Sequence, residues 1–320
     1  MPRLSHTAAG LLAAAVIAAG ARRAGALSND GAVAATLVGG AAVGGTGLRG
    51  GAALVGFFVS SSLLGRLPRS TDVAPQRRGN RRDAVQVLAN GGIAALLALA
   101  GSAVPAFRRE CFVAAYGGAV AAAAADTWAT EIGSRWGGAP RSLASLKVVA
   151  PGASGAVTVV GLAASLAGAM TIATILAQPP RTARPRRLAA IAVGGLAGSL
   201  ADSVLGATIQ EVRWCPVCDR ETEAVTHWCG SPTEHRRGYP WCTNDTVNLL
   251  ATACGALISA VIHANSRAAQ TRTAMHGTRG SCPATGPREG TLLPSPTGEG
   301  LGMRASAASR QRPNLAYLPL

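Results

Sequence analysis

Ala125-Asp126-Thr127-Trp128-Ala129-Thr130-Glu131-Ile132-Gly133 sets two carboxylates directly behind a run of alanines, Ala121 to Ala125. The alanine run reads as a lipid-compatible helix, so Asp126 and Glu131 follow straight from hydrocarbon. A carboxylate at membrane depth costs at least ~2.5 kcal/mol and usually marks a site. Thr127 and Glu131 stand four apart on one helical face, with Asp126 and Thr130 beside them. Downstream lie Arg135, Arg141, the chain's only lysine, Lys147, and the turn Pro151-Gly152-Ala153-Ser154-Gly155. Carboxylates, then cations, then a glycine turn describe a site for metal and phosphate at a membrane surface.

Other polar residues fall at matching depths. Asp83, Gln86 and Asn90 form one helical stripe at the start of an apolar span. Gly194, Gly198, Asp202, Gly206 and Gln210 recur every fourth residue, a small-residue packing seam with a carboxylate set into it. Asn244 and Asn248 flank Asp245 at the start of the last span. Of the chain's 15 acidic residues, Asp83, Asp126, Glu131, Asp202 and Asp245 lie in or at the edge of spans, all toward one membrane face. Asp245 also suits a helix cap and Asp83 pairs easily with Arg82, whereas Asp126 and Asp202 have no capping role. Mg²⁺ takes one or two carboxylates together with phosphate oxygens and water. Phosphoryl transfer needs positioning and charge neutralisation, not a protein nucleophile. The predicted Mg²⁺ ligands are Asp126, Glu131 and Asp202. Arg135, Arg141 and Lys147 are predicted to steady phosphates, with the N–H groups from Gly152 to Gly155 as an anion site where the sixth helix opens. No P-loop sequence is present.

The elements that must position these residues are transmembrane helices. Charged residues make up only 14% of the chain, and small residues dominate. Eight apolar spans are predicted, near 7–21, 31–47, 50–65, 83–105, 111–132, 155–177, 188–209 and 245–263. More spans follow the first at once, so it reads as a membrane helix and not as a cleaved signal. If one of the short second and third spans is re-entrant, the number of crossings falls to seven. The expected fold is an all-α, polytopic membrane bundle over residues 1–264, with a Cys-rich loop at 211–243 and a disordered, low-complexity tail at 265–320. Arginines concentrate after the first, third, fifth and seventh spans, which puts those loops in the cytoplasm and the protein in the cell membrane as a multi-pass chain. The net charge of +15 is therefore topogenic. No recognition helix or stacking motif accompanies it, which excludes nucleic acid as a partner.

The loop carries Cys215-Pro-Val-Cys218, then His227-Trp228-Cys229, His235 and Cys242. A CxxC with a nearby His and Cys is tetrahedral Zn²⁺ vocabulary, with Cys215, Cys218 and Cys229 as ligands and His227 or Cys242 as the fourth. Disulfide pairing and free thiols are the alternatives.

Arg82-Asp83 with Gln86-Val87-Leu88-Ala89-Asn90-Gly91, the Ala125–Gly133 block, Asp202-Ser203 with Gly206-Ala207-Thr208 and Gln210, and the Cys215/Cys218 loop followed by Asn244-Asp245 and Val247-Asn248 occur in that order. In these blocks the chain resembles the family of integral membrane proteins that includes transmembrane protein nineteen and the plant plastid phytyl-phosphate kinase. The resemblance covers about residues 1–264. It implies transfer of phosphate from a nucleoside triphosphate, with CTP as donor, to an isoprenyl monophosphate such as phytyl or geranylgeranyl phosphate. It implies a prenyl chain held among the small-residue spans, within the lipid bilayer, and Asn90 or Asn248 orienting the acceptor. The competing reading is a multi-pass transporter using Asp126 and Asp202 for proton or cation coupling.

Overall fold

The computed structural model describes residues 2–67, 81–177 and 184–279. Most of the arginine-rich loop (68–80), the Pro179-Pro180 segment with Arg181, and the chain from 280 onward lie outside the described residues. Eight helices occur among the described residues: α1 (Pro2–Arg23), α2 (Asn29–Thr46), α3 (Leu48–Arg66), α4 (Ala84–Ala103), α5 (Ala106–Trp136), α6 (Val159–Leu176), α7 (Arg184–Thr208) and α8 (Asn244–Arg279). Each matches one predicted span, and the protein is an all-α membrane bundle. Five of the helices (α3, α4, α6, α7 and α8) are long and apolar enough to cross a membrane.

Local sequence sets the helix starts. Ser28 caps α2, accepting from Gly31 N–H, and Thr158 caps α6, accepting from Gly161 N–H. Asp83 and Gln86 form a reciprocal capping box on α4. Gly47, at φ 79°, turns α2 into α3 as two separate helices. Successive helices alternate in direction. At one end of the bundle Arg82 N–H donates to Ala26 O, the Arg66 guanidinium to Ala24 O, and that of Arg135 to Leu64 O and Leu67 O. At the other end Arg109 donates to Gly45 O and Arg187 pairs with Glu110.

Helix α5 is the axis. Ala114 through Ala125 are buried without interruption, and α3, α4, α6 and α7 pack around them. The run that reads as a lipid-compatible helix is thus enclosed by other helices. Alanine is small enough that neighbouring helices sheathe it completely.

One close crossing is a meeting of glycines. Gly118 of α5, Gly194 and Gly198 of α7, and Gly255 of α8 bring three backbones together. A Cβ added at Gly118 would lie 2.3 Å from Gly255 O, and one at Gly194 2.6 Å from the same oxygen. Ser259 Oγ fastens α8 to α5 by donating to Ala114 O at 2.7 Å. Because the obstructing atoms are backbone, Gly118→Ala is expected to cost ~1–3 kcal/mol and to lower the Tm of the detergent-solubilised protein. Gly20→Ala, where nothing lies within 4 Å, is the matched control with no such loss.

Helix α8 continues past the expected end of the last span at His263 to Arg279. Ser266-Arg267-Ala268-Ala269-Gln270 and the residues after it contain no helix breaker before Gly277, so polarity alone did not end the helix. The first unit of the chain is Met1–Met275. Of the second, His276–Leu320, only 276–279 are described, as the last turn of α8.

Candidate metal and phosphate site

Asp126 follows the buried alanine run on α5, and Asp202 lies on the glycine seam of α7. Close approach of the two helices, with Gly198 against Ala122 and Gly195 against Ala121, brings the carboxyl groups within hydrogen-bonding reach of each other. Asp202 Oδ2 is buried and has no hydrogen-bond partner among the described residues. Paired carboxylates repel unless a proton or cation lies between them, and a buried oxygen without a donor is costly. This donor set fits Mg²⁺.

The rest of the α7 seam builds outward from the pair. Gly206 receives the backbone of Gly155, and Gln210, buried, donates from Nε2 to Glu223 Oε1 at 2.9 Å. Glu223 feels Asp202 electrostatically, so the Cys-rich loop supplies a third carboxylate near the pair. Sequence reasoning missed Glu223. Its one signal was an acidic residue between two ligand-like clusters.

Arg141 and Lys147 sit together on an exposed hairpin. Strand β1 (Arg141–Ser142) pairs antiparallel with β2 (Ala156–Val157), and Ser142 N–H donates to Lys147 O. Gly155, at φ 72°, roots this hairpin on α7. Its missing Cβ would lie 2.2 Å from Ala207 N and 2.4 Å from Ser203 O, beside Asp202. The hairpin that carries the two cations is thereby anchored to α7 next to Asp202. Gly152 lies on an exposed turn at φ 84°. Neither glycine opens α6, contrary to the sequence reading, because Thr158 takes the N-cap.

Two other predicted residues are placed differently. Glu131 is five residues from Asp126, about 140° around the helix at 3.6 residues per turn. It ion-pairs at 2.6 Å with Arg135 and approaches Gly65 of α3. It is therefore not the third ligand beside Asp126 and Asp202. Arg135, with its side chain almost wholly buried, spends its donors on Glu131, Leu64 O and Leu67 O, closing the end of α3 instead of facing phosphate. Thr130 is exposed. Asp83 serves as the α4 cap, with Gln86 as its partner. Asn244, Asp245 and Asn248 lie in the first turns of α8. Asn248 shares a stripe with Thr252, whose hydroxyl reaches Ala89 O of α4.

Between α1, α2, α3 and α4 lies an apolar cavity of about 120 Å³, lined by residues such as Ala35, Val38, Leu54 and Phe57. Its polar lining is Arg82, Gln86, Asn90 and Thr127, the last being the neighbour of Asp126. Arg82 stacks over the Phe58 ring at 5.5 Å. The cavity brings Gln86 and Asn90 together as predicted and adds Arg82.

The Cys-rich loop is a three-stranded antiparallel sheet of β3 (Val212–Cys215), β4 (Arg220–Thr222) and β5 (Glu234–Arg237), in the order β4-β3-β5. Arg237 anchors it by donating to Gly206 O and Ala207 O at the end of α7. Ligand atoms of Cys215, Cys218, His227 and Cys229 all lie within 4.8 Å of one another. Cys242 is buried and is not part of that cluster, whose fourth member is His227. Hydrogen bonds from Ser231 and then His227 hold the Cys229 thiol down at about 6, while sharing with Cys229 and burial push Cys218 up to about 11. His235 instead faces Gly238 O.

A helical bundle with paired carboxylates at one end and a polar loop docked over that end defines a polytopic integral membrane protein. The chain belongs to the family described as Integral membrane protein DUF92, whose model matches residues 12–256. It is similar to Protein PGR of Arabidopsis thaliana, with 33% identity over 196 residues, covering 53% of this chain and 68% of that one. It is also similar to an uncharacterized membrane protein of Methanocaldococcus jannaschii, with 31% identity over 119 residues, covering 37% of this chain and 48% of the relative. No solved structure matches.

Proposed function

We propose that this protein is a phosphotransferase of the cell membrane. It transfers the terminal phosphate of a nucleoside triphosphate, with CTP as the donor the family resemblance implies, to an isoprenyl monophosphate, giving the diphosphate. The observation that carries this reading is a juxtaposition: the Asp126–Asp202 pair adjoins Thr127, which lines an apolar cavity edged by Arg82, Gln86 and Asn90.

Each part has a chemical task. The cavity takes the hydrocarbon chain, and Arg82 draws the acceptor phosphate to the polar edge. Asp126 and Asp202, with Glu223 nearby, hold Mg²⁺, which supplies charge neutralisation at the phosphate oxygens. Arg141 and Lys147 meet the donor's phosphates from the surface hairpin. An acceptor phosphate oxygen attacks the terminal phosphorus, the bond to the bridging oxygen breaks, and nucleoside diphosphate leaves. The acceptor is ionised at neutral pH, so the protein need not supply a base.

The test is transfer of labelled terminal phosphate from CTP, and then ATP, to phytyl and geranylgeranyl monophosphate by purified protein in detergent. Labelled diphosphate is the expected product. No transfer from any donor by folded protein, together with Asp202-dependent cation or proton flux into vesicles, would replace this reading with a transporter.

A further inference from the structure

Two turns of the Cys-rich loop face each other. The first joins β3 to β4, with Asp219 in the left-handed region at φ 52°, and offers Cys215 and Cys218. The second is closed by Gly230 N–H donating to His227 O, with Gly230 at φ 85°, and offers His227 and Cys229. Cys215 Sγ is 3.7 Å from Cys229 Sγ, and His227 Nδ1 is 3.2 Å from the same sulfur. Ligands around a tetrahedral zinc at ~2.0–2.3 Å are separated by roughly 3.3–3.8 Å, so these spacings suit an ion. They are far beyond the ~2.05 Å of a disulfide. The loop also lacks an adequate core of its own: Val217, Val225 and Trp228 are exposed, and its strands are three or four residues long. A unit this small needs a staple.

We propose that Cys215, Cys218, His227 and Cys229 bind a zinc ion, and that this ion holds Glu223 on Gln210, at the end of the helix seam that carries Asp202. Glu223 lies on the segment between the two turns, five residues after Cys218 and four before His227. Its carboxylate is fixed from the α7 side by Gln210. Zinc ties both ends of that segment, so it sets the position of Glu223 without touching substrate. The first half of the proposal stands apart from the phosphotransferase reading; the second deepens it.

The experiment is metal analysis of the full chain, purified under reducing conditions, alongside Cys215→Ser, Cys229→Ser and, as control, Cys254→Ser. About one zinc per chain is expected in the parent and the Cys254 variant, and none in the other two. Cobalt exchange should give the visible bands of a tetrahedral thiolate site. Chelation should at least roughly tenfold accelerate proteolysis within 216–230, with protection returning on zinc addition. Parent protein without zinc, with its thiols titratable or joined as a disulfide, overturns the zinc site. Zinc bound but loop proteolysis unchanged by chelation overturns the link to Glu223. Neither readout uses phosphate transfer, so a failed transferase assay and a failed zinc site are distinguishable.

Discussion

Asp126→Asn and Asp202→Asn are each expected to reduce phosphate transfer by at least roughly 100-fold while the bundle stays folded. Changing groups that merely orient a metal's ligands costs 10–100-fold, so losing a ligand charge should reach the upper end or exceed it. The stability readout has the opposite sign. Without divalent cation, two carboxylates within hydrogen-bonding reach repel, and Asp202 Oδ2 is buried without a donor. An amide at either position removes one charge and supplies N–H groups. Without added Mg²⁺ the variants should therefore melt at or above the parent temperature. Mg²⁺ should raise the parent's Tm and leave theirs unmoved. A variant that melts far below the parent in metal-free buffer would show the pair to be scaffolding.

Ala35→Trp should separate substrates by chain length. Ala35 lines the apolar cavity from α2, and an indole there occupies space otherwise open to hydrocarbon. Each buried CH2 contributes ~0.8 kcal/mol, so excluding even two of them raises KM roughly tenfold or more for a phytyl or geranylgeranyl acceptor. A five-carbon isoprenyl phosphate, too short to reach that far, should keep its kinetics. Equal losses for long and short acceptors would mean that the chain is held elsewhere, at the lipid-facing surface of the bundle.

The helices were legible because apolar runs and glycine spacing are local signals; all eight spans became helices. The Asp126–Asp202 pairing was legible for a similar reason, since neither residue has a cap or an arginine neighbour to explain it. Glu131 misled because the motif is compact in sequence, whereas a helix turns it away from Asp126. Arg135 misled because a guanidinium bound for phosphate and one bound for a helix's last carbonyls look alike until the end of α3 is placed beside it. Gly155, singled out for its place in a glycine turn, packs its backbone against α7, a contact no local pattern announces. The cavity and the approach of Glu223 depend on helices and a loop far apart in the chain, and no local pattern encodes them.

The sheathing of α5 has a consequence for how the protein is made. Its centre is alanine and glycine, and it carries Arg108, Arg109 and Glu110 near one end and Asp126, Glu131 and Arg135 toward the other. On an insertion scale where ionised residues cost up to ~2.5–3.5 kcal/mol at the bilayer centre, such a segment has little tendency to leave the translocon alone. The apolar α3 and α4 are synthesised before it, and α6 and α7 after. The helix that carries Asp126 therefore enters the membrane as a passenger of its neighbours, and the Asp126–Asp202 pair exists only once α7 has been threaded in beside it.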